Sequence, residues 1–266
     1  MVPLIPASRS LSFARTDAAK LTCMNEKRIA LVTGANKGIG FEVARMLGRE
    51  GMTVLVGARS EERGEKAAAE LTGDGLDARF VRLDVTDDET IEAAAKWIET
   101  EFGRLDVLVN NAGIAPAEAS VSPSELAVAA LRMTYETNVF GVVAVTNAML
   151  PLLRRADAAR IVNVSSELGS ITLLSDPDGV YYPFNLLAYN SSKTALNGIT
   201  LSYAKELADT GIKVNAANPG YTATDLNAHT GFQTVEQGAG FVVPLALLPE
   251  DGPSGGFFTG TEPLPW

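Results

Sequence analysis

The sequence predicts an α/β fold of the doubly wound kind, a mostly parallel, seven-stranded sheet with helices on both faces. Three observations predict it. From Lys27 onward, short β-branched runs alternate with longer segments of helical period. The runs are apolar throughout, as strands buried on both faces require. The first run passes through a glycine-rich turn directly into a helical segment, the opening of a βαβ unit that meets a nucleotide at its strand end.

The expected strands are Ile29 to Thr33, Thr53 to Ala58, Ala78 to Leu83, Val107 to Asn110, Ile161 to Ser165 and Lys213 to Ala217, with a seventh near Gly256 to Phe258. Between them, helical period runs over Gly38 to Glu50, Glu61 to Leu71, Asp87 to Phe102, Ser124 to Leu153 in one or two pieces, Ala188 to Asp209, and Val235 to Leu247. Thr86 with Glu89 reads as a helix-start box, and Gly51, Gly73 and Gly211 stand where helices should stop. No repeat or linker divides the chain, so residues 27–266 are expected to form one domain. Residues 1–26 are expected to be a flexible extension. Their serines and arginines also suit a transit peptide, and Met24 would serve as a start.

Bulk properties narrow the function. In 266 residues, 46% are hydrophobic and 20% charged, enough apolar chain for a sizeable core. A formal net charge of -10 without a dense basic run argues against nucleic acid as a partner. The apolar stretch Val139 to Leu153 is broken by Asn147 and Pro151 and is shorter than the ~20 residues of a membrane span, so it reads as a buried helix and no membrane partner is expected. One cysteine and one histidine leave no disulfide and too few soft ligands for zinc. Metal-free chemistry in a reducing, cytoplasmic setting is the expectation.

The turn Thr33-Gly34-Ala35-Asn36-Lys37-Gly38-Ile39-Gly40 lets the backbone approach a pyrophosphate, whose charge the amides and dipole of the following helix meet. The second strand ends at Arg59, where an acid would select NAD by its ribose hydroxyl and a cation accommodates the 2′-phosphate of NADP. Lys37 is a second cation for the same phosphate. NADPH/NADP+ is therefore expected over NAD(H). At the same sheet edge, Asp84 with Val85 closes the third strand and offers an acceptor to an adenine amino group, or only assists the helix start. Asn111-Ala112-Gly113 closes the fourth as a small turn that lets a cofactor pass, or is only a turn.

Tyr189-Asn190-Ser191-Ser192-Lys193 is the stretch that states a reaction. On a helix, Tyr189 and Lys193 lie four apart on one face. At roughly 4 Å and an effective dielectric of about 20, their attraction is of order 4 kcal/mol, enough to lower a phenol pKa by up to ~3 units. Such a phenol would exchange protons near neutrality. Alone the pattern is weak in a chain with 6 tyrosines.

With the glycine turn, Asn111-Ala112-Gly113, Ser166 and Tyr189-x-x-x-Lys193 in this order, the chain from about Lys27 to its end resembles the short-chain dehydrogenase/reductase family, whose domain is Rossmann-type. The resemblance implies a catalytic set of Asn138, Ser166, Tyr189 and Lys193. Ser166 would orient a carbonyl, Tyr189 would give or take the proton, Lys193 would hold the cofactor ribose and tune Tyr189, and Asn138 would support a water relay. Ser166 is assigned over Ser165 by the family pattern. Pro219-Gly220 with Thr222 and Thr224 resembles the segment that holds the nicotinamide amide.

Between Ser166 and Tyr189 the chain carries more residues than the family's usual dozen. The insert Asp176 to Phe184 resembles a shortened form of one in the carbonyl-reductase branch, where it favours monomers. A monomer or small homo-oligomer is expected. Tyr181, Tyr182 and Phe184 are candidates for the mouth of the substrate pocket, and Asp225 to Thr234, with His229, for a flap over it.

These expectations converge on an NADPH-dependent carbonyl reductase acting on small ketones or aldehydes. Alcohol oxidation by the same site is the alternative direction, and a nucleotide-binding regulator without turnover is the alternative class. The sugar-nucleotide epimerases of the extended branch would need more chain after Thr224.

Overall fold

In the computed structural model, which describes residues 27–266, eight strands form one sheet in the order β3-β2-β1-β4-β5-β6-β7-β8. The expected extension, residues 1–26, lies outside the described residues. The strands are β1 (Ile29–Thr33), β2 (Thr53–Ala58), β3 (Ala78–Arg82), β4 (Val107–Asn110), β5 (Arg160–Val164), β6 (Lys213–Ala217), β7 (Phe257–Thr259) and β8 (Glu262–Pro263). All pairings are parallel except β7 with β8. The eighth strand corrects the expected seven. Gly260, at φ 61, turns the chain back so that Thr259 faces Glu262, and a two-residue strand containing proline has no periodicity to announce it.

The helices are α1 (Gly38–Arg49), α2 (Glu61–Gly73), α3 (Asp88–Phe102), α4 (Val128–Tyr135), α5 (Gly141–Leu153), α6 (Ile171–Leu174), α7 (Leu187–Glu206) and α8 (Val235–Ala246). Side chains of β1 and β2 alternate between two cores. Ala30, Val32, Val54 and Val56 face α1, α2 and α8, while Ile29, Leu31 and Leu55 face α3, α5 and α7. Both faces are therefore apolar, which is why the strands read as continuous hydrophobic runs.

Several observed helix ends shift from the expected ones by one to four residues, and two of the expected end signals act differently. Asp87, not Thr86, caps α3, its carboxylate accepting from the amides of Glu89 (3.0 Å) and Thr90 (3.4 Å). The Thr86 hydroxyl is already spent on Asp84 at 2.8 Å. Gly73 ends α2 but is still helical; the left-handed turn falls at Gly75, at φ 83.

The segment Val128–Leu153 is long and apolar enough to cross a membrane by composition, yet α5 buries Val145, Met149, Leu152 and Leu153 against the sheet. Between α4 and α5 the chain makes a π-helical turn, Glu136–Phe140. Such a turn inserts a residue into the helix and re-aims the side chains around it. Here it carries Asn138, which is buried.

A polar network crosses the core between the sheet and two helices. Asn110 Nδ2 donates to Asn163 Oδ1 (2.8 Å) and Thr146 Oγ1 (3.1 Å), and Asn163 Nδ2 donates to Thr200 Oγ1 (2.9 Å). These bonds tie β4 and β5 to α5 and α7. Asn163→Ala is predicted to cost about 2 kcal/mol, because it strands one donor and one acceptor in the interior. A urea midpoint equal to that of the wild type would refute this.

Candidate active site

The strand order reverses between β1 and β4, and in such a sheet the ligand crevice opens at the carboxyl ends of these strands. Gly34 (φ 64) and Gly38 (φ 60) make the turn there in conformations that side chains disfavour. A Cβ on Gly40 would stand 2.3 Å from Asn111 Nδ2, so the helix start can lie against the fourth strand only as glycine. Asn111 Nδ2 donates to the carbonyls of Thr33 (2.9 Å) and Gly34 (3.3 Å), and the amides of Asn111 and Ala112 both donate to Thr33 Oγ1 at 3.0 Å. Asn111 thus holds the turn from behind. Asn36 and Ile39 are half-buried within it.

Helix α1 begins with no side-chain cap and no acid in its first turn. Its free amides, the nearby cation Lys37 and an exposed Arg59 at the end of β2 suit a phosphate-bearing dinucleotide. The fit is qualified at one place. Lys37, expected to be free for a 2′-phosphate, is ion-paired with Asp225, which also meets His229 Nε2 at 2.8 Å. The hydrogen bonds from Lys37 and then His229 hold the Asp225 carboxyl below its ordinary range. The pairing follows from the fold, which lays the segment after β6 across α1: a Cβ on Gly38 would meet Thr224 Cγ2 at 3.7 Å.

Asp84 is half-buried, its Oδ1 accepting from the Thr86 amide (3.0 Å) and hydroxyl (2.8 Å), so one oxygen serves the turn into α3. The Val85 carbonyl lies against Gly141, where a Cβ would approach it to 2.6 Å. Past β6, Pro219 is buried and Gly220 has φ 70. The Thr222 hydroxyl is buried and donates to the Pro219 carbonyl at 3.0 Å, so it braces its own loop. Thr224 opens the short turn Asp225–Asn227, its amide donating to Asn227 Oδ1 at 3.1 Å.

The reacting candidates come together on the other side of the crevice. Tyr189 and Lys193 lie one turn apart on α7, with Lys193 Nζ 5.7 Å from the phenol ring centroid. Lys193 is 4% exposed and donates to the Val164 carbonyl at 2.8 Å. A Cβ on Gly113 would meet Lys193 Nζ at 3.6 Å and Asn138 Oδ1 at 3.4 Å, so all three line one pocket. Asn138 donates to the Ile114 carbonyl (2.9 Å) and Ser192 Oγ (3.1 Å) and accepts from the Ile114 amide (2.8 Å). Both ends of its amide are occupied in holding the strand end to α7.

The adjacent serines separate by strand alternation. Ser165 is buried and donates to Asn197 Oδ1 at 2.6 Å, whereas Ser166 is half-buried and its Oγ accepts from the Leu168 amide at 3.2 Å, capping the turn that follows.

The electrostatics correct one expectation. The spacing predicts that the ammonium lowers the phenol's pKa; instead burial raises Tyr189 to about 12, the Ser166 hydroxyl lowering it and the Glu167 charge raising it further. Burial also lowers Lys193 to about 8. Tyr189 is half-buried, and the hydration lost by its phenol outweighs a cation one turn away.

Glu167 is the site residue that sequence reasoning missed. Its signal was an acid directly after the strand-end serines and before the apolar Leu168. The insert also differs from expectation. Tyr181 is half-buried and feels Glu167, whereas Tyr182 and Phe184 line a 470 Å³ hollow with Asn190, Ser191 and Thr194. Neither this hollow nor the neighbouring one of 540 Å³ includes Ser166, Tyr189 or Lys193 in its wall.

A reversal-point crevice, a glycine-built helix start and a Ser-Tyr-Lys cluster beside it define an α/β oxidoreductase of the doubly wound class. The family model described as short chain dehydrogenase matches residues 28–233. Short-chain dehydrogenase/reductase 1 of Saponaria officinalis is 35% identical over 294 residues, covering 91% of this chain and 97% of that one. The structure of salutaridine reductase from Papaver somniferum superposes with a TM-score of 0.76 at 32% identity, over 87% of this chain and 99% of that one. An NADPH-bound carbonyl reductase from chicken fatty liver gives 0.79 at 28% identity, over 91% and 100%. The chain belongs to the short-chain dehydrogenase family.

Proposed function

We propose that the protein is an NADPH-dependent carbonyl reductase, working in the cytoplasm on small ketones or aldehydes as a monomer or small homo-oligomer. The observation that carries the reading is Tyr189 one helical turn from buried Lys193, whose Nζ lies 5.7 Å from the phenol ring, at the point in the crevice where Ser166 follows the fifth strand. A carbonyl oxygen at that point accepts from the Tyr189 and Ser166 hydroxyls.

NADPH, when bound, supplies a hydride to the carbonyl carbon. Tyr189 gives its proton to the oxygen, so the carbonyl becomes an alcohol, and Ser166 stabilises the charge that gathers there. With its pKa near 12 the phenol is protonated throughout the neutral range, which favours its use as an acid in reduction over its use as a base in oxidation. Lys193 would hold the cofactor ribose, and Asn138 fixes the wall of the Lys193 pocket. The amides at the start of α1 with Gly34, Asn36, Gly38, Ile39 and Gly40 would receive the pyrophosphate. Arg59 and Lys37 would meet the 2′-phosphate, and Asp84, Val85, Ala112, Gly113, Pro219, Gly220, Thr222 and Thr224 would border the rest. The NADPH named with the avian neighbour supports the choice of cofactor.

The direct test is loss of NADPH absorbance against a panel of ketones and aldehydes; binding without turnover of any would reject the reading. Cofactor choice is tested by fluorescence titration. Arg59→Ala should weaken NADPH about tenfold and leave NADH unchanged, since a charge-assisted bond to the 2′-phosphate is lost. Asp225→Asn should tighten NADPH by releasing Lys37. Equal changes for both nucleotides would remove the phosphate argument.

A further inference from the structure

We propose that residues 222–233 form a flap that the Lys37–Asp225 ion pair latches to the glycine turn, and that the 2′-phosphate of NADP(H) opens this latch by taking Lys37 from Asp225. This rests on the NADPH-dependent reading and adds a link from the choice of nucleotide to the cover of the substrate site.

The segment leaves the crevice edge just past β6 and returns to its own start, where Thr222 bridges Gln233. The Ala223 amide donates to the Gln233 carbonyl at 2.9 Å and the Gln233 amide to the Tyr221 carbonyl at 3.2 Å. Gly231 lies so close to this base that a Cβ there would stand 2.3 Å from the Ala223 nitrogen. Further out, the amides of His229 and Thr230 donate to the carbonyls of Thr224 (2.9 Å) and Asn227 (3.1 Å), and the Tyr221 and Thr230 hydroxyls meet. A loop whose ends touch and whose own residues fill it is a compact Ω-loop, free to turn about its base. Among the described residues, the hydrogen bonds and ion pairs of residues 224–232 all stay within 221–233 except one, Lys37 with Asp225. One polar contact therefore fastens the tip.

That contact is open to a competitor. The Lys37 and Asp225 side chains are each 55% exposed, so a phosphate can reach the ammonium. An exposed ion pair favours its closed form by no more than about fivefold. A phosphate monoester brings nearly two charges and three acceptor oxygens to the same ammonium, more than a carboxylate offers. The tip is also strained, since Ala228 (φ 51) and His229 (φ 60) hold the left-handed conformation without being glycine. Such strain persists only while the surroundings enforce it, so loss of Lys37 lets the tip relax. Leu226 and Phe232, exposed while the latch holds, are the apolar side chains the freed flap brings to a substrate. By linkage, whatever frees the flap tightens the nucleotide by the same factor.

The test is amide hydrogen exchange over residues 224–232 of the full chain, saturated by calorimetric titration with NADP+ or with NAD+, which differ only in the 2′-phosphate. In the wild type the flap should exchange about three- to fivefold faster with NADP+ than with NAD+. In Asp225→Asn and in Lys37→Met it should exchange about as fast without nucleotide, and the two nucleotides should no longer differ. NADP+ should bind more tightly to Asp225→Asn and more weakly to Lys37→Met, which separates capture of the phosphate from mere loosening of the loop. Exchange no faster with NADP+ than with NAD+ in the wild type, a comparison that needs no substitution, overturns the latch and leaves the reductase reading intact; so does a difference that persists in either variant. A difference that appears in the wild type and vanishes in the variants, while no ketone or aldehyde is reduced, keeps the latch and rejects the reductase reading. If neither nucleotide binds, both fall.

Discussion

Replacing Tyr189 by phenylalanine should lower kcat by about 10²–10⁴-fold while NADPH binds as before, because the change deletes one oxygen and with it the proton donor. The ring keeps its packing on α7, and the carbonyl loses one of two hydroxyls aimed at its oxygen. With Ser166 still present, the substrate should continue to bind, so KM moves less than kcat. The measurement is steady-state reduction of one good ketone together with a nucleotide titration. Most of the wild-type kcat surviving in this variant would mean that the proton comes from elsewhere, and the mechanism would have to be rebuilt around another group.

Lys193→Met should separate function from stability. Reduction should fall at least ~10²-fold, since a buried cation beside the reacting phenol and the proposed ribose site is lost. The folded protein should nonetheless become more stable near neutral pH. Burial holds Lys193 at about 8 against an ordinary 10.5. Between those values the unfolded chain binds a proton that the native chain has released, so raising the pH favours the native state. Below about 8 both states carry the proton and the full penalty, of order 3 kcal/mol, is felt. Wild-type stability should therefore climb from pH 8 toward 10, while Lys193→Met stays flat over that range. Tyr189 acts oppositely at higher pH, where the unfolded phenol ionises from about 10 and the native one only near 12, so stability falls there. Urea midpoints at intervals between pH 7.5 and 9.5 isolate the lysine; parallel profiles for the two proteins would show that burial does not penalise its charge. In the same range, kcat/KM for NADPH should decline above pH ~8 as the ammonium is lost.

Much of this molecule is legible in local patterns of the chain. The strands β1, β2 and β4 begin and end where uninterrupted apolar runs do, since a strand covered on both faces needs no polar side. The glycine turn into α1, and Tyr189 with Lys193 on one helix face, are likewise matters of spacing along a few residues. Patterns that depend on which hydroxyl or carboxylate lies nearer are less legible, as the end of α2 and the cap of α3 show.

The chain by itself determined the doubly wound class, the sheet edge that holds the glycine turn and the residues proposed to do chemistry there, because periodicity and strand ends are written in neighbouring positions. Only the tertiary structure decided that the Ser165 hydroxyl is spent on Asn197, that Asn138 sits on a π-helical turn and that Lys37 meets Asp225. It also decided that burial, not the ammonium, governs the Tyr189 phenol, and that Glu167 keeps a buried oxygen without a partner. Each of these depends on how much water a group has lost and on what approaches it from a distant part of the chain, and neither quantity has any signature along the sequence.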